Sequence, residues 1–325
     1  METKKHFFRI RPTITLLLVL LISSVILVTL SLQYYFSKDL AFDATENSFR
    51  LTSEKIEQKI MTFDEINRSL VKSITNFRGI LDSPKVNEKH KLLKELTLTL
   101  DNNPNVYSIY MGNKDEDFYK IINLDTHTNL RKKYTVSNEV KWLIIKIYTE
   151  KDKIRYRYEQ FIDKNFKLIK TNKKIAKYNP SERPWFKKAF SSNLSVIKTK
   201  PYMFSNIDQK GITYAKKIKG TDFVVGLYIS LESLSSFLEK QTNQKEEKII
   251  LFKKDSLIIA SANFDKNIKT IPYPELITFA KNKNIKKLNL NLNIEEESFV
   301  YYSKISSNFD EVDHLCIMIP TSTIM

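Results

Sequence analysis

The sequence predicts an α+β protein: an N-terminal transmembrane helix runs into a long stalk helix and then into two lobes built on antiparallel sheets. Three observations predict it. No charged residue occurs from Pro12 to Ser37. Behind that stretch, apolar residues recur every seven positions as far as Phe77. Beyond Pro84, short runs rich in β-branched and aromatic residues are joined by turn-like sequences, with helical patterns between them.

The apolar stretch comes first. It exceeds the roughly 20 residues that cross a bilayer as a helix. Tyr34, Tyr35 and Phe36 sit at its C-terminal edge, where interfacial aromatic residues belong. Lys4, Lys5, Arg9 and Arg11 flank it on one side, and Lys38, Asp39, Asp43 and Glu46 on the other. This asymmetry predicts a cytoplasmic N-terminus and an extracytoplasmic remainder. The stretch is too long for a cleaved signal peptide, and no small-x-small cleavage site follows it. The expected location is the cytoplasmic membrane, crossed once.

From residue 38 to about residue 82 the pattern predicts one long helix. Phe49, Ile56, Phe63, Leu70 and Phe77 repeat at heptad spacing, with Ile60, Ile74 and Leu81 as companions and polar Ser53 and Asn67 interrupting. No proline occurs from Tyr34 to Ser83, and Gly79 and Pro84 mark the far end. Such a stripe either packs on its own domain or forms the seam of a homodimer, and both remain open.

A helical pattern near Glu88–Leu100 leads to a hairpin of Val106–Met111 and Phe118–Leu124. Val140–Tyr148 reads as helix, and Arg155–Ile162 and Phe166–Ile169 as strands around a turn. Tyr178–Phe190 (YNPSERPWFKKAF) is a proline-punctuated loop entering a short amphipathic helix. A second hairpin joins Ile212–Ile218 to Phe223–Ile229, and Leu231–Gln241 reads as helix. A smaller strand set follows: Lys248–Phe252, Ser256–Ser261, Lys287–Asn293, Glu297–Ile305 and Val312–Ile319.

Composition narrows function. The 325 residues carry a formal net charge of +16, but the lysines are scattered among asparagines and isoleucines without an arginine-rich stripe. With the bulk of the chain expected outside the membrane, nucleic acid is not an expected partner. The single cysteine, Cys316, permits no intrachain disulfide. His6, His90, His127 and His314 are too dispersed to predict a metal site, and five glycines include no phosphate-binding loop. No cofactor is expected. Carboxylate pairs such as Asp115–Asp117 and Glu295–Glu297 fall on polar, turn-like stretches, so no catalytic constellation is expected either.

Tyr178–Phe190, Lys200–Ser205 (KPYMFS), Gly211–Lys217 (GITYAKK) and Val224–Leu231 (VVGLYISL), in this order behind a membrane anchor, resemble the double Cache family of bacterial extracytoplasmic sensors. The resemblance implies two PAS-like lobes along one long helix, with the ligand in the membrane-distal lobe. It divides the chain into a cytoplasmic end (1–11), a transmembrane helix (12–37), a stalk helix (38–82), a distal lobe (83–243) and a proximal lobe (244–325). It also implies a site. Tyr178, Arg183 and Trp185 match the clamp on a ligand carboxylate in the family's amino-acid sensors, Phe186 a following aromatic, and Tyr202 a pocket tyrosine. Where those sensors hold the ligand's ammonium with acidic residues, this chain has Phe204 and Tyr228.

The chemistry of those side chains is definite. An arginine fork binds a carboxylate bidentately, and tyrosine hydroxyl and indole N–H groups add donors. An ammonium buried without an anionic partner costs about 3–5 kcal/mol, against about 0.5–2 kcal/mol regained on an aromatic face. The expected ligand is therefore a small carboxylate without an amine, or a similar anion. The alternatives are that Arg183 pairs with a carboxylate of the chain while Trp185 serves as core, or that the chain is a ligand-free anchoring and dimerising ectodomain. The family usually continues into a cytoplasmic output module; none is expected here, so the chain is read as a signal input module and not an enzyme.

Overall fold

The computed structural model describes residues 10–126, 128–193, 195–204, 210–242, 245–264, 270, 298–305 and 313–323. The expected strand Lys287–Asn293, His6, His127, the Glu295–Glu297 pair, and Lys4, Lys5 and Arg9 lie outside them.

Helix α1 runs unbroken from Ile10 to Thr75. It is long and apolar enough to cross a membrane, and none of its most apolar 18-residue window is buried by protein. The helix ends seven residues before the expected boundary at 82. The chain leaves it through successive tight turns (Asn76 N–H to Ser73 O, Phe77 N–H to Ile74 O, Ile80 N–H to Phe77 O) and reaches Gly79 at φ +95°. That left-handed backbone suits glycine and cannot continue an α-helix.

Two antiparallel sheets flank the helix. The larger comprises β1 (Ser108–Gly112), β2 (Phe118–Asn123), β3 (Val140–Thr149), β4 (Arg155–Asp163), β5 (Leu168–Ile175), β6 (Ile197–Lys198), β7 (Tyr202–Met203), β8 (Lys210–Lys217) and β9 (Val224–Ser230). Its order is β5-β4-β3-β2-β1-β9-β8-β6, with β7 also paired to β8. The smaller sheet has the order β11-β10-β13-β12, from β10 (Lys248–Phe252), β11 (Ile258–Ala262), β12 (Ser298–Ile305) and β13 (Asp313–Pro320). Helices α2 (Leu93–Asn102), α3 (Thr128–Tyr134), α4 (Pro184–Ser191) and α5 (Leu231–Glu239) complete the fold.

Alternation along the strands gives the larger sheet two apolar faces. Ile109, Met111, Ile121, Ile144, Val225 and Leu227 share one core with α1, α2 and the smaller sheet. Tyr110, Phe118, Leu143, Ile145, Phe161 and Tyr228 share the other with α4. Coverage on both faces explains a difference in element type among the described residues. Val140–Tyr148 is a strand, not a helix: as a central strand it is apolar at nearly every position and shows no period-two signal.

Of the two readings of the heptad stripe, packing on the chain's own domain accounts for Phe49, Ile56, Ile60, Phe63 and Ile74, which are all buried against the two sheets. Its polar interruptions are satisfied: Ser53 shares a 2.6 Å hydrogen bond with Ser303 on β12, and Asn67 donates to Phe63 O at 2.8 Å. Because Ser53 meets the smaller sheet and Asp64 the larger, the smaller lobe lies nearer the apolar end of α1.

Candidate ligand-binding site

The site forms on the face of the larger sheet that α4 covers. The chain enters α4 through Arg183, whose extended backbone (φ −80°, ψ 147°) caps the helix ahead of Pro184, a residue pre-set for the first helical position. That turn places Arg183 at the rim and Trp185 one step inward. Trp185 is fully buried, 4.9 Å edge-on from Tyr110 of β1, and its Nε1 donates to the Tyr178 hydroxyl at 3.3 Å. Tyr178 packs at 4.8 Å on Phe118, and burial pushes its hydroxyl up to about 12.

Arg183 lies over two rings, 5.9 Å from that of Tyr178 and 5.6 Å from that of Tyr202. One of its five N–H donors is engaged, Nη2 donating to Met203 O at 2.8 Å. Among the described residues it has no acidic partner. Tyr202 and Tyr110 each form a 2.7 Å hydrogen bond with the Thr213 hydroxyl, so one threonine fixes both rings.

Tyr178, Arg183, Trp185 and Tyr202 therefore come together as the motif spacing implied. Phe186 does not reach Arg183's side of this group; it stacks on Phe190 of its own helix and meets Trp185 edge-on. Phe204 and Tyr228 meet each other, with ring centroids 3.7 Å apart, and fill the space beyond Tyr202. The backbone is shaped for these rings. A Cβ at Gly211 would fall inside the Tyr228 ring, and one at Gly226 would crowd Tyr110.

One residue that the sequence reading passed over stands at the centre. Lys120 of β2 pairs in register with Tyr110 and is fully buried. Its Nζ has no hydrogen-bond partner among the described residues; instead it faces the rings of Phe204 at 4.7 Å, Tyr107 at 5.4 Å, Tyr110 at 5.8 Å and Tyr228 at 5.9 Å. Burial, reinforced by the nearby Arg157, drives its pKa well below the ordinary 10.5. The available signal is that Lys120 is the single charged residue in a strand that is otherwise apolar up to its terminal Asn123, FYKIIN. Farther along the same face, Arg157 and Lys174 both bond Glu159 Oε1 at 2.8 Å, which neutralises the buried carboxylate there. Among the described residues, the uncompensated charge around the aromatic cluster is positive.

No family model matches the chain. Over 86 residues it is 28% identical to the methyl-accepting chemotaxis protein McpA of Bacillus subtilis strain 168, a match covering 26% of this chain and 13% of that protein's length. Similarity to solved structures is much broader. The ligand-binding domain of the Pseudomonas fluorescens chemoreceptor CtaA, in complex with L-serine, superposes with a TM-score of 0.53 at 16% identity, covering 86% of this chain and 99% of that one. The sensory domain of the Campylobacter jejuni chemoreceptor Tlp3 gives 0.53 at 17% identity, covering 89% and 98%. The same Tlp3 domain with 4-methylisoleucine gives 0.53 at 16%, covering 89% and 94%. With its long apolar N-terminal helix and its two antiparallel sheets, the chain has the double Cache fold of chemoreceptor sensory domains.

Proposed function

We infer that this chain is a membrane-anchored extracytoplasmic sensor, a signal input module rather than an enzyme, whose larger lobe binds a small carboxylate or an anion of similar shape. The observation that carries the reading is Arg183: a guanidinium with one engaged donor and no acidic partner among the described residues, held between Tyr178 and Tyr202 beside the Trp185 indole. A planar fork in such a setting is matched to a carboxylate. The structural neighbours support a small-molecule ligand, since their complexes contain L-serine, L-valine and 4-methylisoleucine. This chain parts from an amino-acid site at the ammonium end, where Phe204 and Tyr228 offer rings and Lys120 a further cation.

The test is a melting scan of the full chain in detergent micelles against carboxylates, inorganic anions and amino acids, with Arg183→Ala alongside. A ligand at a hundred times its Kd adds about 2.7 kcal/mol of stability. The expected result is a shift with small carboxylates that Arg183→Ala abolishes. Tight binding of ordinary amino acids, lost in Tyr228→Phe, would count against the carboxylate. The close Phe204–Tyr228 contact favours one other reading, a ligand-free anchoring and dimerising ectodomain, and silence across the panel from a folded protein would select it.

A further inference from the structure

Lys120 Nζ is fully buried and has no hydrogen-bond partner among the described residues. A fully buried ammonium without a hydrogen-bonded partner is expensive, and aromatic faces return only part of that cost. Its surroundings are also specific. Phe204, the ring nearest Lys120 Nζ, lies 5.2 Å from Tyr202, and Tyr202 is one of the two rings beneath Arg183. Two cations thus border one pair of neighbouring, tilted rings, Arg183 at Tyr202 and Lys120 at Phe204. The only buried carboxylate described on this face, Glu159, is already bonded by Arg157 and Lys174.

We propose that the site takes a ligand with two anionic groups, of the dicarboxylate class, one group held by Arg183 and the other by Lys120. This rests on the carboxylate-sensor reading and extends it by naming the second anchor. The second anionic group supplies the counter-charge that the buried amine lacks, and the Phe204 ring turns aside from Nζ to admit it. Binding then favours the protonated amine, so it takes up a proton. The titratable and charged groups facing Lys120 are Tyr107 just before β1, Tyr110 from β1, Tyr228 from β9 and Arg157 from β4. Burial holds all three tyrosines protonated well above their ordinary range, while it lowers Lys120 well below its ordinary value, so Lys120 is the group among them whose protonation the second anion would shift.

The experiment is calorimetric titration of the full chain in micelles with linear dicarboxylates of three to six carbons and with their monoamides, which keep the shape and remove one charge. The expected result is a preference for a diacid over its monoamide of tenfold or more. Lys120→Met should erase that preference, and Arg183→Ala should weaken both ligands. Equal affinity for diacid and monoamide, or a preference that survives Lys120→Met, overturns this proposal and leaves the monocarboxylate sensor standing. Failure of every carboxylate to bind overturns both. Should Lys120→Met not fold, the wild-type protein decides. Diacid affinity should fall as pH rises toward 10.5 while monoamide affinity changes less, and parallel profiles sink the proposal.

Discussion

The Lys198 ammonium, on β6 of the larger sheet, donates to both carboxylate oxygens of Asp64 on α1, at 2.9 and 3.1 Å. The Tyr214 hydroxyl donates to the same carboxylate, and Lys198 also stands 3.8 Å from Asp313 of the smaller sheet, which pairs with Lys253 at 2.6 Å. All of these acidic and basic groups are largely buried. One ionic chain thus ties the long helix to both lobes at the level where the lobes meet.

Removing one charge from this chain leaves its partners buried and uncompensated. Asp64→Asn, which keeps the shape, is expected to cost about 3–5 kcal/mol. The loss should shrink when Lys198→Met is added, because the orphaned ammonium goes with it. Denaturant melts of the full chain in micelles measure both. A single-variant loss below about 1 kcal/mol would show that solvent already screens the pair.

Gly211 and Tyr228 face each other across the β8–β9 pairing with no room for a methyl group. Gly211→Ala is expected to destabilise the lobe by about 1–3 kcal/mol, the usual cost of overpacking a tight core. Combining it with Tyr228→Leu should cost less than the sum of the two single changes. Strict additivity of the two melts would mean that the ring is not what excludes the side chain.

Lys120 carries a signed pH dependence. Burial lowers its folded pKa below the unfolded 10.5, so between the two values the unfolded chain binds the extra proton. Stability is therefore reduced at neutral pH and recovers as pH rises toward 10.5, by about 1.4 kcal/mol for each unit of displacement. Lys120→Met should be more stable than wild type at pH 7, with the gap narrowing toward pH 10. Taking the difference between the two proteins cancels the buried tyrosines, which titrate in both.

His90 gives an acid-side counterpart. Its Nδ1 accepts from Leu92 N–H at 3.0 Å and its ring lies 4.9 Å from Tyr119, a setting that suits the neutral imidazole. Burial depresses its pKa below 6.5 despite the pull of Asp82. The stability it contributes is complete above pH 6.5 and is lost as pH falls through the lowered value. His90→Gln should flatten this part of the acid melting profile, and an unchanged slope between pH 6.5 and 4.5 would exclude the assignment.

The sequence alone determined the α+β class, the apolar helix and the β1–β2 and β8–β9 hairpins, and its resemblance to a known family implied the grouping of Tyr178, Arg183, Trp185 and Tyr202. These rest on local signals: hydrophobic period, proline and turn chemistry, and motif spacing within some 50 residues. What only the tertiary structure decided depends on which faces are covered. Val140–Tyr148 became a strand because cores on both sides of the sheet removed its alternation. The buried part of the heptad stripe packs on the chain's own two sheets, a placement that depends on residues far away in the sequence. Lys120 looks in sequence like a solvated strand residue. It became the centre of the site because its strand lies inside the sheet, under α4 and an aromatic cluster assembled from four separate segments, and burial is a property no local pattern encodes.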